Sequence, residues 1–290
     1  MMTATANDIE SATMTRVRVF EIIELLRARY TRQRFAPHAH DEYVLGTVES
    51  GASRTLFRGR EDVHTPGCVI TFAPGEVHTG SPAAECGWSY RMLYPTAELL
   101  QFIAREATGR DFAPAFDTSF VADAELADRL STTHAVLESN ADRLQKECAL
   151  LETLGELVIR HATAPRQSYA SVCASRSSPA LRRVRELLEA EFARTITIGE
   201  LAREAELSTF HLIRVFRGAF GLPPYKYLEQ VRIQQARRLI RDGFPLTHVV
   251  HATGFSDQSH LTRYFKRIVG VTPGRYARAG CDPRGEERVA

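Results

Sequence analysis

The stretch GFSDQSHLTRYFKRIVGVTPGRY, residues 254–276, decides the fold because a second version of it stands earlier in the chain. Eight of its positions recur 49 residues upstream, with unlike residues between them. A match spaced in this way indicates an internal repeat of one structural unit. The matching pairs are His211 and His260, Leu212 and Leu261, Arg214 and Arg263, Phe216 and Phe265, Arg217 and Lys266, Gly221 and Gly270, Pro224 and Pro273, and Tyr227 and Tyr276.

The first copy predicts two helices joined by a turn. The first helix covers residues 199–204, and the turn covers 205–207. Ser208 follows, and its hydroxyl can accept a backbone hydrogen bond at the start of the next helix, 209–220. This order of elements is that of a helix-turn-helix, whose second helix enters the major groove of DNA.

The second copy predicts the same order of elements. A helix over 246–252 and a turn over 253–255 precede Ser256, which is expected to cap a helix over 257–269. Gly254 can adopt the positive φ that such turns often require. The C-terminal part of the chain is therefore predicted to hold two DNA-reading units.

Helical phase gives each second helix an apolar side for the core and an opposite side that faces outward. On the outward side, Arg214 and Arg263 can form paired hydrogen bonds with guanine, and Gln258 can do so with adenine. Phe210 and Ile213 can touch thymine methyl groups. These five residues are the predicted base readers.

Phosphate groups are expected to meet the basic and polar residues that flank the base readers. An arginine on a helix can equally be solvated, Phe210 can be a packing residue, and the histidines can instead hold the turn. The duplicated pattern favours DNA binding over these alternatives. Arg217, Lys266, His211 and His260 are assigned to phosphates, and Ser208, Thr209, Asp257, Ser259 and Thr262 complete the predicted DNA-binding set.

A long helix over residues 225–241 is predicted between the two units, with its arginines on the surface. A continuous helix of about 17 residues spans roughly 25 Å. That length can hold two reading helices about 34 Å apart, the distance between successive major grooves on one face of a duplex. The arginines are Arg232, Arg237, Arg238 and Arg241.

Residues 181–278 resemble the DNA-binding domain of AraC/XylS-type bacterial transcription regulators. The segments that carry the resemblance are LAREAELSTFHLIRVFRGAFGLPPYKYL, RIQQARRLI and ATGFSDQSHLTRYFKRIVGVTPGRYAR. The resemblance implies a ligand-responsive regulator with base contacts at Phe210, Ile213, Arg214, Gln258, Ser259 and Arg263.

Charge is divided unevenly along the chain, although the net charge of all 290 residues is only +2. From residue 179 onward there are about 19 Lys and Arg against 12 Asp and Glu, whereas the preceding residues hold 18 against 23. A basic half that coincides with the repeat is typical of nucleic-acid binding joined to a sensing domain.

The distribution of cysteines and the hydropathy of the chain indicate the cellular compartment in which the protein is expected. The five cysteines are scattered and never form C-x-x-C, which argues against a disulfide framework or a zinc cluster. No apolar run approaches 18 residues, and the start of the chain lacks a secretory signal pattern. A cytoplasmic protein with no membrane association is expected.

The N-terminal part is predicted to be β-rich. Residues 35–94 consist of short apolar runs separated by Gly and Pro turns, which is typical of a small antiparallel barrel or sandwich. Residues 17–29 fit a strand or a helix equally well. The region looks like the cupin barrel that AraC/XylS-type regulators use to bind an effector. The predicted strands cover residues 43–48, 54–57, 68–72 and 90–94.

Two amphipathic helices are predicted after this region, over residues 123–137 and 143–161. They can pack on the barrel or mediate self-association, so a homodimer through residues 123–161 is left open. On the second helix a line of apolar residues recurs every seven positions: Leu144, Leu151 and Val158.

Histidines are the most distinctive side chains of the predicted barrel. His38 and His40 alternate onto one face of a strand, and His78 can join them around a metal. No glutamate follows His40 at the spacing of metal-binding cupins, so a polar lining or structural hydrogen bonding is favoured, and no metal or other cofactor is predicted. Arg91 beside the histidines would suit an anionic or polar molecule. The candidate effector-binding residues are His38, His40, Glu42, Tyr43, His78 and Arg91, with Tyr90 and Phe72 as further lining candidates.

The sequence thus predicts an α+β protein of two domains. Residues 1–163 form a small cupin-like β-barrel with a helical hairpin, and 164–179 form a linker. Residues 180–278 form an all-α domain with two helix-turn-helix units, and 279–290 form a charged tail. The predicted function is sequence-specific binding of double-stranded DNA by a transcription regulator whose activity a small-molecule effector modulates. RNA polymerase is left open as a further partner.

The competing hypothesis is a metal-dependent cupin enzyme, an oxygenase or isomerase, that uses His38, His40 and His78 and is tethered to DNA by its C-terminal half. The chain contains no phosphate-cradling G-x-x-x-x-G-K-[ST] motif. No catalytic residue is assigned, and metal analysis of the purified protein would separate the two hypotheses.

Overall fold

The computed structural model describes residues 10–163 and 178–279. They fall into two compact units, the first within Met1–Arg166 and the second within Gln167–Ala290. Most of the predicted linker and of the predicted tail lies outside the described residues. Within those residues, no helix is both long enough and apolar enough to cross a membrane.

The first unit contains two antiparallel sheets, as its alternation of short apolar runs with Gly and Pro turns predicts. The strands are β1 (Ser11–Arg18), β2 (Ile22–Tyr30), β3 (Phe35–His38), β4 (Val44–Gly51), β5 (Ser53–Phe57), β6 (Arg60–His64), β7 (Cys68–Phe72), β8 (His78–Pro82), β9 (Trp88–Tyr94) and β10 (Phe120–Ala122). The larger sheet has the strand order β1-β2-β9-β4-β7-β10, and the smaller has β3-β8-β5-β6. Residues 17–29, whose sequence fits a strand or a helix equally well, belong to the hairpin of β1 and β2.

The two sheets meet through aromatic and imidazole side chains. Tyr30 of β2 lies with its ring centroid 5.7 Å from that of Phe35 on β3. Phe72 of β7 contacts Phe57 of β5 at 5.3 Å and stacks on His78 of β8 at 3.9 Å. We call the two sheets together the β-domain and the space between them its interior.

Three helices cover the other face of the larger sheet. They are α1 (Ala97–Thr108), α2 (Ala124–Glu138) and α3 (Arg143–His161). Leu150, Leu154 and Leu157 of α3 are fully buried and share a core with Leu45 and Leu93 of the sheet. The hairpin of α2 and α3 therefore packs on the β-domain, as one of the two alternatives predicts.

The line of apolar residues at seven-residue spacing on α3 is buried only in part. Leu144, in the first turn of the helix, is 69% exposed, whereas Leu151 is half-buried and Val158 is buried. The face that packs on the β-domain follows Leu150, Leu154 and Leu157.

The second unit is helical throughout its described elements. The reading helices and the long connecting helix stand where the repeat predicts them, and Pro224 occupies the first turn of the connecting helix, where a missing N–H costs little. The elements are α4 (Pro179–Ala190), α5 (Ile198–Glu204), α6 (Thr209–Phe220), α7 (Pro224–Arg241), α8 (Leu246–Ala252), α9 (Gln258–Val269) and α10 (Pro273–Arg278). Helix α4 thus begins at the last residue of the predicted linker.

The arginines of α7 do not all lie on the surface as predicted. Arg237 is 8% exposed, and its Nε donates to the hydroxyl of Tyr276 at 3.4 Å. It stands four residues after Ile233 and three before Ile240, both buried, so helical phase points it inward. Arg232 is half-buried and donates to the carbonyl of Phe192 at 2.8 Å. These two arginines therefore connect α7 to α10 and to the segment between α4 and α5.

Candidate functional site

The two helix-turn-helix units differ by one residue in the turn. Helices α5 and α8 begin 48 residues apart, whereas α6 and α9 begin 49 apart. The additional residue is Asp257, whose Oδ1 accepts the backbone N–H of His260 at 2.8 Å and caps α9. Ser208 caps α6 in the first unit, as predicted. The prediction that Ser256 caps the second helix is wrong, because the extra residue takes that position.

The turns themselves require a backbone conformation that glycine favours. Gly254 has φ 71°, which confirms the sequence prediction, and Glu206 occupies the equivalent position of the first unit with φ 55°. A Cβ added to Gly254 would lie 2.3 Å from the carbonyl oxygen of Ala193. The second turn therefore packs tightly against the segment that precedes the first unit.

The outward faces of α6 and α9 carry the predicted reading residues. Phe210 is 87% exposed and Ile213 is 39% exposed, which excludes the alternative that Phe210 packs in the core. On the inner faces, Leu212, Phe216, Leu261 and Phe265 are completely buried. Ser208, His211, Arg214, Arg217, Asp257, Gln258, Ser259, Arg263 and Lys266 are exposed, whereas Thr209, His260 and Thr262 are half-buried. We call this outward set the reading face.

His260 is engaged in the turn rather than directed to solvent. Its Nδ1 lies 3.0 Å from the hydroxyl of Ser256, and its ring stands edge-on to Phe255 and Tyr264, with centroids 5.2 and 4.8 Å away. This arrangement favours the structural role that the sequence left open for the repeated histidines. The equivalent His211 is exposed.

Three histidines come together in the β-domain. His38 on β3 pairs directly with His78 on β8 in the sheet register, and His40 follows just beyond the end of β3. One ring nitrogen from each lies within 4.8 Å of the others. His38 and His78 are 4% and 6% exposed, and His40 is half-buried. We call these residues the histidine group.

Backbone carbonyls fix the orientation of two of the rings. The Nδ1 of His38 donates to the carbonyl of Ala36 at 2.7 Å, and the Nδ1 of His78 donates to that of Glu76 at 2.9 Å. A carbonyl oxygen only accepts, so in the neutral ring the proton sits on Nδ1 and the lone pair on Nε2. Phe72 lies parallel to the His78 ring and further restricts its rotation.

Burial keeps the two rings neutral. Loss of hydration lowers the pKa of His38 to about 4, although its hydrogen bond to the Ala36 carbonyl acts in the opposite direction. Burial also lowers the pKa of His78 well below its usual value, and the neighbouring His38 adds to the effect. At neutral pH both imidazoles are therefore uncharged, which is the form that coordinates metals.

Arg91 and Tyr43 do not line the interior, so their predicted placement there is wrong. Arg91 faces the helices, where it donates to Glu49 at 2.6 Å and to Glu138 of α2 at 3.1 Å. The hydroxyl of Tyr43 donates to the carbonyl of Pro114 at 2.6 Å. Successive residues of a strand point to opposite faces, so Arg91 cannot share a face with its neighbour Tyr90.

Glu42 is half-buried and stands outside the histidine group. Its carboxylate was considered as a substitute for the glutamate of metal-binding cupins. In the described part of the chain, the cluster with metal-ligand spacing consists of the three histidines without it.

A cluster of aromatic rings lies in the interior beside the histidine group. The ring of Tyr30 lies 5.7 Å from that of Trp88 and 6.0 Å from that of Tyr90, and Tyr94 lies 5.3 Å from His40. Tyr90 and Phe72 face inward, as predicted. Tyr30 and Trp88 were missed, although the alternation of aromatic residues at 88, 90 and 94 carries the signal.

Comparison with known families assigns both units. A model described as an AraC-like ligand binding domain matches residues 22–154. A model described as a helix-turn-helix domain matches residues 201–279. The first covers the β-domain from β2 onward together with much of the helical hairpin, and the second covers both helix-turn-helix units.

Relatives resemble the chain over most of its length. An uncharacterized HTH-type transcriptional regulator of Bacillus subtilis, YbfI, is 32% identical over 82% of this chain and 86% of its own. The arabinose operon regulatory protein of Escherichia coli is 26% identical over 83% and 82%. The crystal structure of unsaturated fatty acid-bound ToxT from Vibrio cholerae has a TM-score of 0.52 at 13% identity, covering 95% of this chain and 98% of that one. The last likeness concerns the fold.

Proposed function

Because the chain belongs to the AraC family of transcription regulators, we propose that the reading face contacts two successive major grooves of one DNA duplex, under the control of a small molecule held in the β-domain. The observation that carries this proposal is the duplicated exposure of the reading face. Phe210, Ile213 and Arg214 are exposed on one helix, and Gln258, Ser259 and Arg263 are exposed on the other. Phe210 and Ile213 are exposed one helical turn apart, and two apolar side chains that adjoin on one helix face favour a contact surface.

Base readers and phosphate binders divide along each reading helix. Arg214 and Arg263 can fork to guanine, and Gln258 can pair with adenine. Arg217 and Lys266 stand in the last turns of α6 and α9, where their charges can meet phosphates. Asp257 contributes through the cap that orients α9, because its negative charge would be repelled by phosphate.

Basic charge supports the same role. The residues from 179 onward hold about 19 Lys and Arg against 12 Asp and Glu, so binding would release counterions condensed on the DNA. Affinity should therefore fall steeply as salt is raised. Such a protein would work beside the chromosome, in the bacterial cytoplasm.

The effector proposed here is a small molecule with a ring or an unsaturated portion and few charges. Its recognition would rest on the interior aromatic rings of Tyr30, Trp88 and Tyr90, which offer flat apolar surfaces with polar edges. An anionic effector loses support because Arg91, the cation expected beside the histidines, is paired with Glu49 and Glu138 on the other face.

Self-association through residues 123–161 remains part of the proposal. Leu144 and Ile159 of α3 are 69% and 62% exposed, and the thiol-bearing Cys148 is exposed on the same helix. Two large apolar side chains on the outer side of a packed helix are consistent with a contact between copies of the chain. Contact with RNA polymerase is a further proposal for the regulator once it is bound to DNA.

A division at the linker, residues 164–179, is also proposed, with the sensing domain before it and the DNA-binding domain from 180 to 278. It is supported by the end of α3 at His161 and the beginning of α4 at Pro179. The regulator is proposed to act without catalysis, since its relatives are transcriptional regulators.

Hydroxyl-radical footprinting of the full-length protein on DNA upstream of its own gene tests the proposal. We expect two protected segments about one helical turn apart at low salt, and an altered pattern when a metabolite pool is added. A protein with Arg214→Ala and Arg263→Ala serves as the control for specific contacts. Absence of protection by the unmodified protein at low salt would contradict the proposal.

A further inference from the structure

We propose that His38, His40 and His78 together bind one divalent transition-metal ion inside the β-domain, through one imidazole nitrogen from each residue. This inference concerns the β-domain alone and does not depend on DNA binding. It rests on the position of three ring nitrogens within 4.8 Å of one another, where chain segments far apart in sequence meet.

The spacing is close to that of a loaded site. Imidazole nitrogens bind zinc at about 2.0–2.1 Å, which places two ligands of a tetrahedral ion about 3.4 Å apart. A closure of at most about 1.4 Å between ring nitrogens would complete the coordination. His40 can supply it, because it is half-buried and lies beyond the end of β3, whereas His38 and His78 are held within paired strands.

The surroundings orient the ligands as metal-binding histidines are usually oriented. Metal-ligating imidazoles generally donate their second ring N–H to a carbonyl or carboxylate, which fixes the tautomer and the ring plane. His38 and His78 already donate Nδ1–H to the carbonyls of Ala36 and Glu76. In both rings, Nε2 is then the nitrogen with a lone pair for the ion.

The donor set selects the class of ion. Imidazole suits zinc, cobalt, nickel, copper and iron, whereas magnesium and calcium prefer oxygen ligands. Glu76, two residues before His78, has its carboxylate engaged elsewhere, because it pairs with Arg58 and accepts the backbone N–H of Ala73 at 3.0 Å. Three nitrogen ligands leave a further coordination position, which a water molecule can fill.

Cobalt(II) is the probe of choice because its absorption bands report the geometry of the ligands. Tag-free, full-length protein is stripped with a chelator and titrated with Co²⁺, and metal content is measured after gel filtration. We expect visible bands of a low-symmetry four- or five-coordinate site that saturate at one ion per chain and disappear when Zn²⁺ is added. Mg²⁺ and Ca²⁺ should leave the bands unchanged.

Variants assign the binding to the histidine group. His78→Gln and His40→Ala should each lower the affinity for Co²⁺ at least tenfold, the effect expected for the loss of a ligand. His64→Gln is the matched control, since His64 is a buried histidine of the same domain that bonds to Ser119 at 3.0 Å outside the group. It should bind Co²⁺ as the unmodified protein does.

Melting temperatures measured with and without metal keep folding and binding apart. The unmodified protein should melt at a higher temperature with Co²⁺ than with chelator, whereas His40→Ala should melt at the same temperature in both. Loss of the ring contacts of His40 with His78 and Tyr94 lowers both temperatures of the variant equally. Absence of stoichiometric Co²⁺ bands would overturn the proposal, as would full binding by His40→Ala and His78→Gln. If the protein binds Co²⁺ as expected but gives no DNA footprint, the proposed function is contradicted and the metal site is still supported.

Discussion

Gly254 in the second turn and Ala193 before the first unit approach each other so closely that a Cβ on Gly254 would lie 2.3 Å from the Ala193 carbonyl oxygen. The same glycine has φ 71°, a region that other residues enter at a cost. Two independent constraints therefore meet at one residue, and both act on the turn that sets the direction of α9.

Gly254→Ala should lower the free energy of unfolding of the DNA-binding unit by about 1–3 kcal/mol, since it combines backbone strain with a collision. Chemical denaturation measures this loss. Gly218→Ala is the matched control, because Gly218 lies in α6 with open space around it and should gain about 0.5–1 kcal/mol from the better helix former. Equal effects of the two substitutions would contradict the packing described here.

The reading helices could be predicted from the sequence because their boundaries depend on local chemistry. Ser208 and the apolar phase of Leu212 and Phe216 define α6 without any tertiary information. The cap of α9 was misassigned to Ser256 because the turn carries one more residue there, and both Ser256 and Asp257 are good caps.

The β-domain was harder to predict because the sequence of a strand does not show which of its two faces lies inward. Alternation shows that Tyr90 and Arg91 face opposite sides, but only the packed helices decide which side is the interior. His38 and His78 are neighbours because β3 and β8 pair in a particular register. That register depends on how the strands pair, so it could not be predicted from the sequence separation of the two residues.

Acid should destabilise the contact between α2 and α3. Asp123 caps α2 and accepts a hydrogen bond from His161 at 2.8 Å, and this bond, together with the N–H of Leu126 and then Arg160, lowers the pKa of its carboxyl to about 2. A group whose pKa is depressed by folding stabilises the folded state above its unfolded pKa. That contribution should be complete above pH 4 and should be lost as the pH falls through about 2.

Asp123→Asn tests this pH dependence, because the amide oxygen can still cap the helix while the charge is removed. We expect the variant to be less stable than the unmodified protein at pH 6 and to lose less stability between pH 4 and pH 2. Thermal unfolding across this range measures both values. If the two proteins lose the same stability between pH 4 and pH 2, a group other than Asp123 causes the loss of stability in acid.

Self-association through α3 should depend on its exposed apolar residues. Leu144→Glu combined with Ile159→Glu should shift a dimer to the monomer in sedimentation experiments, because a charge buried in an apolar contact is strongly unfavourable. Gln145→Glu adds a charge at an exposed polar position of the same helix and serves as the control.

Cys148 gives a second measurement of the same contact. If two copies of α3 face each other, mild oxidation should join them through this exposed thiol, and Cys86→Ser should leave the reaction unchanged. An unmodified protein that remains monomeric at every concentration, without a cross-linked product, would exclude this surface as the interface.

Arg263 and Lys266 should contribute to DNA binding in different ways, although both are exposed on α9. Arg263→Ala should cost about 1–3 kcal/mol on the preferred site and relax the preference at one base pair, because a bidentate contact to guanine is lost. Lys266→Ala should weaken binding to all sequences alike and reduce the salt slope by about 1, because it removes one phosphate contact. Arg105→Ala is the control, because Arg105 is an exposed arginine on α1 of the other unit. Binding measured on matched and randomised duplexes at several salt concentrations separates the two roles, and equal losses on every sequence for both variants would show that Arg263 reads no base.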